Sequence, residues 1–303
     1  MLKNNLTALV TTVAFVCLLS LFCVFSEGFS AIMPFVLIIV FSICSAVAEK
    51  EYVVLSGAVC TFLSYLICRD EVIVYTAIIS ALAGLVVGIM MKRESSLMTL
   101  TVASATGFAV LYAVYILILA RMTGYSSLNE IFDALTKAMV TTMSAVDKKM
   151  AETVPSLMKN FRDLFPSVVM ISSVTMGYIT VFVTGKILSL VNRRVAVDVG
   201  FSKFKADTLT IVIFVISMAV TIFAGYGKTG IIAENIYLVL SFILQMCGLS
   251  LLDWFLKNRK KMNVFLRILI IFALNAIPLV SVMFVMAAIL DARRDFRRLN
   301  PIE

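Results

Sequence analysis

Residues 6–25 read LTALVTTVAFVCLLSLFCVF and contain no charged side chain. A helix that crosses the hydrocarbon core of a bilayer needs about twenty largely apolar residues. Only a helix satisfies its backbone hydrogen bonds within one segment in lipid. This stretch therefore predicts a transmembrane helix, and the chain repeats the pattern. Runs of the same kind fall at 6–26, 29–48, 52–68, 72–91, 97–120, 165–191, 208–226, 231–252 and 264–290.

The composition supports a membrane protein. Of 303 residues, 61% are apolar and 15% are charged, and the mean hydropathy is +1.05. A soluble domain is nearer half apolar and a quarter charged. We therefore expect an all-α fold, a polytopic integral membrane helical bundle with eight or nine transmembrane helices. The count stays open because Asn275 and Pro278 interrupt the last run, and because 29–48 and 52–68 are weak runs.

The basic residues predict the orientation. They gather in short loops between the apolar runs: Lys92 and Arg93, Arg193 and Arg194, Arg259 and Lys260. Because cytoplasmic loops carry an excess of Lys and Arg, we expect a multi-pass protein of the cell membrane with these loops and the N-terminus in the cytoplasm. The net charge of +8 thus reflects orienting loops and not a nucleic-acid surface. Nine crossings would place the arginine-rich stretch 291–298 outside, so the side of the C-terminus stays open.

The chain divides into three expected parts. A five-helix N-terminal membrane part occupies 1–120, a polar insertion occupies 121–164, and C-terminal membrane helices with basic cytoplasmic loops occupy 165–303. On the orientation above, the insertion lies outside the cytoplasm. It is expected to be an amphipathic helical hairpin that rests on the membrane or the bundle, or alternatively a lid over a cavity that opens outward.

Local signals mark the ends of helices in the insertion. Ser127 followed by Glu130 resembles a capping box, which starts a helix. Apolar residues then recur at helical spacing from Leu128 to Met150. Pro155 is expected to end or kink this helix, and Pro166 to stand at the start of the next span.

The residue inventory excludes several functions. The chain has no histidine, which removes imidazole-based nucleophiles, proton relays and histidine-containing metal sites. The six cysteines lie in apolar runs without a CxxC pair and are typical of small buried side chains. Ionisable residues are nearly absent from the spans, which argues against a proton pump. We expect neither an enzyme nor a bound metal or cofactor.

Uncharged polar residues within the spans are the candidate ligand contacts. Polarity alone selects Thr106, Tyr112, Tyr178 and Gln245. Gln245 is more typical of a residue that joins helices, as is Asn275.

Two further patterns concern packing. Gly84 and Gly88 form a small-residue stripe that favours close packing of two helices. Asp253 and Asp291 each end a helix before a basic cluster, a pattern typical of local salt bridges.

Three stretches resemble a known family. Residues 84–93 read GLVVGIMMKR, residues 164–166 read LFP before a helix that ends at Arg193 and Arg194, and residues 290–297 read LDARRDFR. Together with the order of helices, they resemble the YybS-like family of bacterial membrane proteins along nearly the whole chain. That family is distantly similar to the S components of energy-coupling-factor transporters.

The resemblance implies a small-molecule site near the outer face and a lateral contact with a transmembrane coupling protein that ATPases drive. S components dock through an Ala-x-x-x-Ala pattern on the first helix, and the matching positions here are Ala8 and Thr12. The first hypothesis is therefore an S-component-like subunit that binds or transports a small molecule and has no ATPase of its own. The alternative is a non-transporting scaffold or regulator that binds partner membrane proteins.

Overall fold

The computed structural model of this protein describes residues 2–25, 32–93, 95–190, 199–225 and 227–297. Within these ranges the regular structure is helical and no strand occurs, which confirms the all-α class. A short 3-10 turn lies at Phe201–Lys203. The α-helices are α1 (Leu2–Phe25), α2 (Met33–Val47), α3 (Lys50–Cys68), α4 (Glu71–Lys92), α5 (Leu97–Met122), α6 (Leu128–Ser144), α7 (Lys148–Leu190), α8 (Thr208–Ala224), α9 (Lys228–Asn258), α10 (Val264–Asn275) and α11 (Pro278–Arg294).

The described helices form two compact units. The first unit comprises the chain up to Lys92 together with Ala103–Thr180, and the second comprises Arg93–Val102 together with the residues from Val181 onward. In the first unit α2 packs along α4, and α3 packs against both α1 and α4. In the second unit α9 is central and packs against α8, α10 and α11. The three-part division of the sequence stays a prediction.

Six described helices are long and apolar enough to cross a membrane, namely α1, α3, α4, α5, α7 and α9. A seventh crossing results if α10 and α11 count as one broken span. The expected eight or nine are not confirmed, because α2 and α8 have only 15 and 17 residues. At about 1.5 Å per residue they reach roughly 23 and 26 Å, less than a hydrocarbon core of about 30 Å.

The predicted cap at Ser127 is present at the start of α6. The hydroxyl of Ser127 accepts a hydrogen bond from the backbone N–H of Glu130 at 3.3 Å. The carboxylate of Glu130 in turn accepts bonds from the backbone N–H and the hydroxyl of Ser126, one residue before the cap. These bonds stabilise the carboxylate and lower the pKa of Glu130 below its usual value.

The predictions that Pro155 ends a helix and that Pro166 stands at the start of the next one are wrong, and the alternative of a kink at Pro155 stays a prediction. Both prolines lie inside α7, which is continuous over 43 residues. The helix break falls earlier, at 145–147, where Asp147 accepts a bond from the N–H of Lys149 and starts α7. Between the two prolines α7 packs against α6, because Phe132 contacts Phe161 and Phe165 at ring distances of 6.0 and 5.3 Å.

Small residues bring α2 and α4 into backbone contact. A Cβ atom added at Gly84 would lie 2.5 Å from the Cβ of Phe41 and 2.9 Å from the backbone nitrogen of Ser42. A Cβ atom at Gly88 would lie 2.5 Å from the Cβ of Ser45. The hydroxyl of Ser45 also donates to the carbonyl of Leu85 at 3.0 Å. Any larger side chain at either glycine must push the two helices apart.

Leucine at Gly84 or Gly88 is therefore expected to lower the folded yield and the thermal midpoint, since overpacking of this kind costs about 1–3 kcal/mol or more. Thermal unfolding in detergent measures the effect. The matched control is Val86→Leu, at a half-exposed position of the same helix. Unchanged midpoints in both glycine variants would contradict the close approach of α2 and α4.

Candidate functional site

A cavity lies between α3 and α4. The two helices are joined by the short turn at Arg69 and Asp70, where Arg69 adopts a left-handed φ of 51° and ends α3. The carboxylate of Asp70 accepts a bond from the N–H of Val72 at 2.9 Å, which supports the first turn of α4. This tight turn makes α3 and α4 antiparallel neighbours.

The α3–α4 groove has a volume of about 560 Å³ and an almost entirely apolar lining. It extends from Val53 to Tyr65 on α3, which is about 18 Å along the helix axis. Small side chains open it, because Gly57 and Ala58 on α3 and Ala81 on α4 line it. A Cβ atom at Gly57 would lie 3.2 Å from the Cβ of Ala81, so the helices touch at the floor of the groove.

Two hydroxyl groups interrupt the apolar lining. Thr61 lies midway along the groove, and its hydroxyl donates to the backbone carbonyl of Gly57 at 2.8 Å. Tyr65 lies at the end nearest the α3–α4 turn, and about half of its surface is exposed. The groove therefore provides one long apolar contact surface with a phenol group at one end.

The four residues that polarity selected do not line this groove. Thr106 is exposed on α5, and Tyr178 is half-buried on α7. Tyr112 packs against a core cluster that includes Phe108. Gln245 belongs to the second unit. Sequence reasoning missed the groove because its small residues are common in membrane helices, although Gly57 and Thr61 stand four apart as a packing signal.

Gln245 joins three helices of the second unit. Its Nε2 group donates to the Oδ1 of Asn275 at the end of α10, at 2.7 Å. The same group donates to the hydroxyl of Ser281 in the first turn of α11, at 3.0 Å. Between these two residues the chain bends by 110°. The contacts of Gln245 are thus within the protein, in the manner of a residue that joins helices.

The contacts along α10 show its direction. Arg267 lies 3.4 Å from Asp253 of α9. Eight residues later along α10, Asn275 contacts Gln245, which lies eight residues before Asp253. Later residues of α10 therefore contact earlier residues of α9, at the same spacing along both helices. The two helices are antiparallel neighbours.

α11 returns in the opposite direction. Ser281 contacts Gln245, and three residues later the backbone of Phe284 lies directly against Gly248, three residues beyond Gln245. α11 therefore runs parallel to α9. The helix pair α10–α11, which we call the C-terminal hairpin, has both of its outer ends beside the C-terminal end of α9.

A buried arginine closes the hairpin. The side chain of Arg297 has no exposed surface, and that of Asp291 is 1% exposed. The Nε and Nη2 groups of Arg297 donate to the Oδ2 of Asp291 at 2.9 and 2.7 Å. The remaining N–H groups bind the carbonyls of Ser202 and Phe204 and the hydroxyl of Ser250 at 2.7–3.1 Å. All five guanidinium donors are satisfied, and we call this network the Arg297 clasp.

The Arg297 clasp accounts for the sequence LDARRDFR. Asp291 and Arg297 form the buried pair, and Asp295 lies 2.7 Å from Lys205 in the segment before α8. The prediction of a local salt bridge is confirmed at Asp291, which pairs with Arg297, whereas Asp253 pairs with Arg267 on the next helix and not with the basic cluster that directly follows α9. The final signature thus fastens α11 to α9 and to the segment 201–205.

The exposed basic residues differ from those of the clasp. Arg259 and Lys260 follow α9 and are exposed, as expected of loop residues. Arg193 and Arg194 lie outside the described residues. Among the described residues, no group of three or more Cys, Asp or Glu side chains is close enough to hold a metal ion.

A family profile described as "Predicted membrane protein (DUF2232)" matches residues 12–292. The chain belongs to this family. The match covers both units and supports a multi-pass protein embedded in a lipid bilayer. The name YybS-like and the similarity to S components are not confirmed by it. No curated protein and no solved structure was found to match the chain.

Substitution of Arg297 by Met is expected to destabilise the protein by about 3–5 kcal/mol, because it leaves the buried carboxylate of Asp291 without its counter-charge. Thermal or denaturant unfolding measures the loss. The double variant Asp291→Leu with Arg297→Met should regain part of it, since no unpaired charge remains. Arg293→Met, at an exposed position of α11, is the control. Equal stability of the control and Arg297→Met would contradict the clasp.

The hairpin geometry also predicts on which side of the membrane the C-terminal segment lies, namely the same side as the C-terminal end of α9. Cysteines that replace Lys260 and Arg294 should react with a membrane-impermeant maleimide from the same side of sealed vesicles. A cysteine that replaces Thr229, at the opposite end of α9, should react from the other side. The unmodified chain controls for its native cysteines. Labelling of positions 260 and 294 from opposite sides would show that α10 and α11 cross the membrane as one broken span.

Proposed function

We propose that this protein is an S-component-like subunit that binds or transports a small, mainly apolar molecule in the α3–α4 groove and has no ATPase of its own. One observation supports the proposal above all, namely the size and lining of the groove. Small-molecule sites have volumes of about 300–1,000 Å³ and are mostly apolar, with few polar groups. The groove, at about 560 Å³, falls within that range.

The lining assigns roles to individual residues. The apolar body of the ligand lies along Gly57, Ala58 and Ala81, where no large side chain intervenes. The hydroxyl of Tyr65 meets a polar group at one end of the ligand, because a phenol both donates and accepts hydrogen bonds. Among the residues that the structure describes, no charged one lines the groove, so the ligand is neutral where it lies in the membrane.

Transport requires a partner that supplies energy. In this proposal the partner is a transmembrane coupling protein with ATPases. The positions that correspond to the S-component docking pattern are not accessible to the coupling protein. Thr12 is buried, and Ala8 packs against Cys44, Ala48 and Val53 within the first unit. The coupling protein therefore contacts another lateral face of the bundle.

The proposed arrangement in the membrane has eight crossings. The short helices α2 and α8 cross together with the six long helices, which a locally thinned bilayer allows. The C-terminal hairpin enters and leaves on one side. With the N-terminus in the cytoplasm, the loops at Lys92, Arg259 and Lys260 and the segment at Arg294 all face the cytoplasm, in agreement with the positive-inside rule. The insertion between α5 and α7 then lies outside.

The alternative function is a scaffold that binds partner membrane proteins. Its support is the abundance of small residues, which allow helices to approach closely. Gly84 and Gly88 already pack against α2 within the protein, so they are not available to a partner helix. The partner would therefore place a helix in the α3–α4 groove, and the same experiment separates the two functions.

Substitution of Ala58 by Phe is expected to remove the ligand, because the new ring fills the groove from an exposed position and does not separate α3 from α4. The protein is isolated in lipid nanodiscs, and native mass spectrometry measures the bound small molecules. The matched control is Leu66→Phe, an exposed apolar position of α3 outside the groove.

The proposal expects the unmodified protein and Leu66→Phe to retain a small molecule that Ala58→Phe has lost. The same small-molecule content in all three proteins would contradict it. If Ala58→Phe lost a co-purified membrane protein and no small molecule, the scaffold function would replace the proposal. Thermal midpoints check that all three proteins are folded.

A further inference from the structure

Within the described part of the second unit, one helix has a face that no other element of the unit covers. α10 contains no buried residue. Arg267, Ile270 and Leu274, which are half-buried, mark its side towards the rest of the unit. The opposite side is well exposed at Phe265 (77%) and Phe272 (78%).

The residues on this exposed face have the spacing of a helix-pairing seam. Phe265, Ile268, Phe272 and Asn275 follow one another at intervals of three, four and three residues, which is the spacing of the core positions of a coiled coil. Three of them are large and apolar, and the fourth carries an amide. A single asparagine in such a seam is known to fix the register and the number of paired helices.

The amide of Asn275 has unused hydrogen-bonding groups. Its Oδ1 accepts one bond from Gln245 and has a second lone pair. Among the described residues no acceptor binds its Nδ2 group. The side chain is exposed, and so are the neighbouring residues 276–279 at the break between α10 and α11.

The depth of Asn275 makes this exposure unfavourable in lipid. It contacts α9 at Gln245, eight residues or about 12 Å before Asp253, and the residues exposed around it on α10 are apolar. Lipid tails offer no acceptor for an amide N–H, and irregular backbone at membrane depth occurs only where protein or a water-filled cavity covers it. Something with hydrogen-bonding groups must therefore cover this end of α10.

We propose that the face of α10 formed by Phe265, Ile268, Phe272 and Asn275 pairs with the same face of a second copy of this chain. The amide is self-complementary, since two copies related by a two-fold axis donate Nδ2–H to each other's Oδ1. The apolar seam is self-complementary for the same reason. Arg267 does not oppose the pairing, because it lies on the other side of α10 and is held by Asp253.

The inference is independent of the ligand in the α3–α4 groove, which belongs to the other unit. It assigns to the asparagine a role between two protein copies, while Gln245 and Ser281 keep their contacts within one copy. This distinction supplies matched variants. Asn275→Leu removes the group that pairs the copies, and Ser281→Ala removes only an internal partner of Gln245.

The test counts photobleaching steps of the full-length protein, labelled through one fused tag, in lipid vesicles over a range of protein-to-lipid ratios. The number of photobleaching steps of the unmodified protein should change from one to two as the protein-to-lipid ratio rises. Asn275→Leu should shift this transition to roughly five- to thirty-fold higher density, the effect of one hydrogen bond between membrane helices. Phe272→Ala should shift it in the same direction, and Ser281→Ala should leave it unchanged.

A further control is Phe223→Ala, which removes an equally exposed ring from α8 and should have no effect. Single steps at every density would overturn the proposal, as would three or more steps. It would also fail if Asn275→Leu and Phe272→Ala paired like the unmodified protein, or if Phe223→Ala weakened pairing as much as they do. If Asn275→Leu shows no thermal unfolding transition and is therefore not folded, the photobleaching result of Phe272→Ala, which removes no hydrogen bond, decides the outcome.

Discussion

Lipid offers no hydrogen-bond partner, and this constraint explains where the polar groups of the protein lie. In the described part of the first unit, several hydroxyl groups inside the bundle bind one another or the backbone, as Ser20 does with Ser64 at 2.9 Å, whereas those of Ser42, Ser104 and Thr180 are buried without a hydrogen-bond partner. In the second unit, hydrogen bonds of Gln245 and Arg297 join α9 to the C-terminal hairpin, and only the Oδ1 of Asp291 in the clasp has no partner among the described residues. The Nδ2 group of Asn275 also has no acceptor among the described residues, but this side chain is exposed, and it lies on the face of α10 for which a second copy is proposed.

The parts of the fold that the sequence predicts are those with a local signal. Apolar runs of twenty residues mark the six long helices, and Ser127 with Glu130 marks the start of α6. An acid before a basic cluster indicates the salt bridge of Asp291. The choice of partner is not local, since Arg293 and Arg294 are nearer to Asp291 in the sequence than Arg297 is, yet only the fold buries Arg297 against it.

The features that the sequence does not predict depend on register between helices. Pro155 has the local signature of a helix end, yet α7 continues through it, and α7 packs against Phe132 of α6 further along. Asn275 and Pro278 indicate a break but not its direction, which follows only from the contacts of Arg267 and Ser281 with α9. The α3–α4 groove arises because Gly57 and Ala81 meet across two helices, and no periodicity within either helix encodes that meeting.

Occupancy of the α3–α4 groove is the central claim, and a cryo-electron microscopy map of the protein in lipid nanodiscs tests it most directly. The account predicts an elongated density, separate from the protein chain, that runs about 18 Å along α3 past Ala58 and Thr61 and ends near Tyr65. The density should be absent when Phe replaces Ala58. A groove filled by a helix of another protein, or one closed by contact of α3 with α4 along its whole length, would contradict the account.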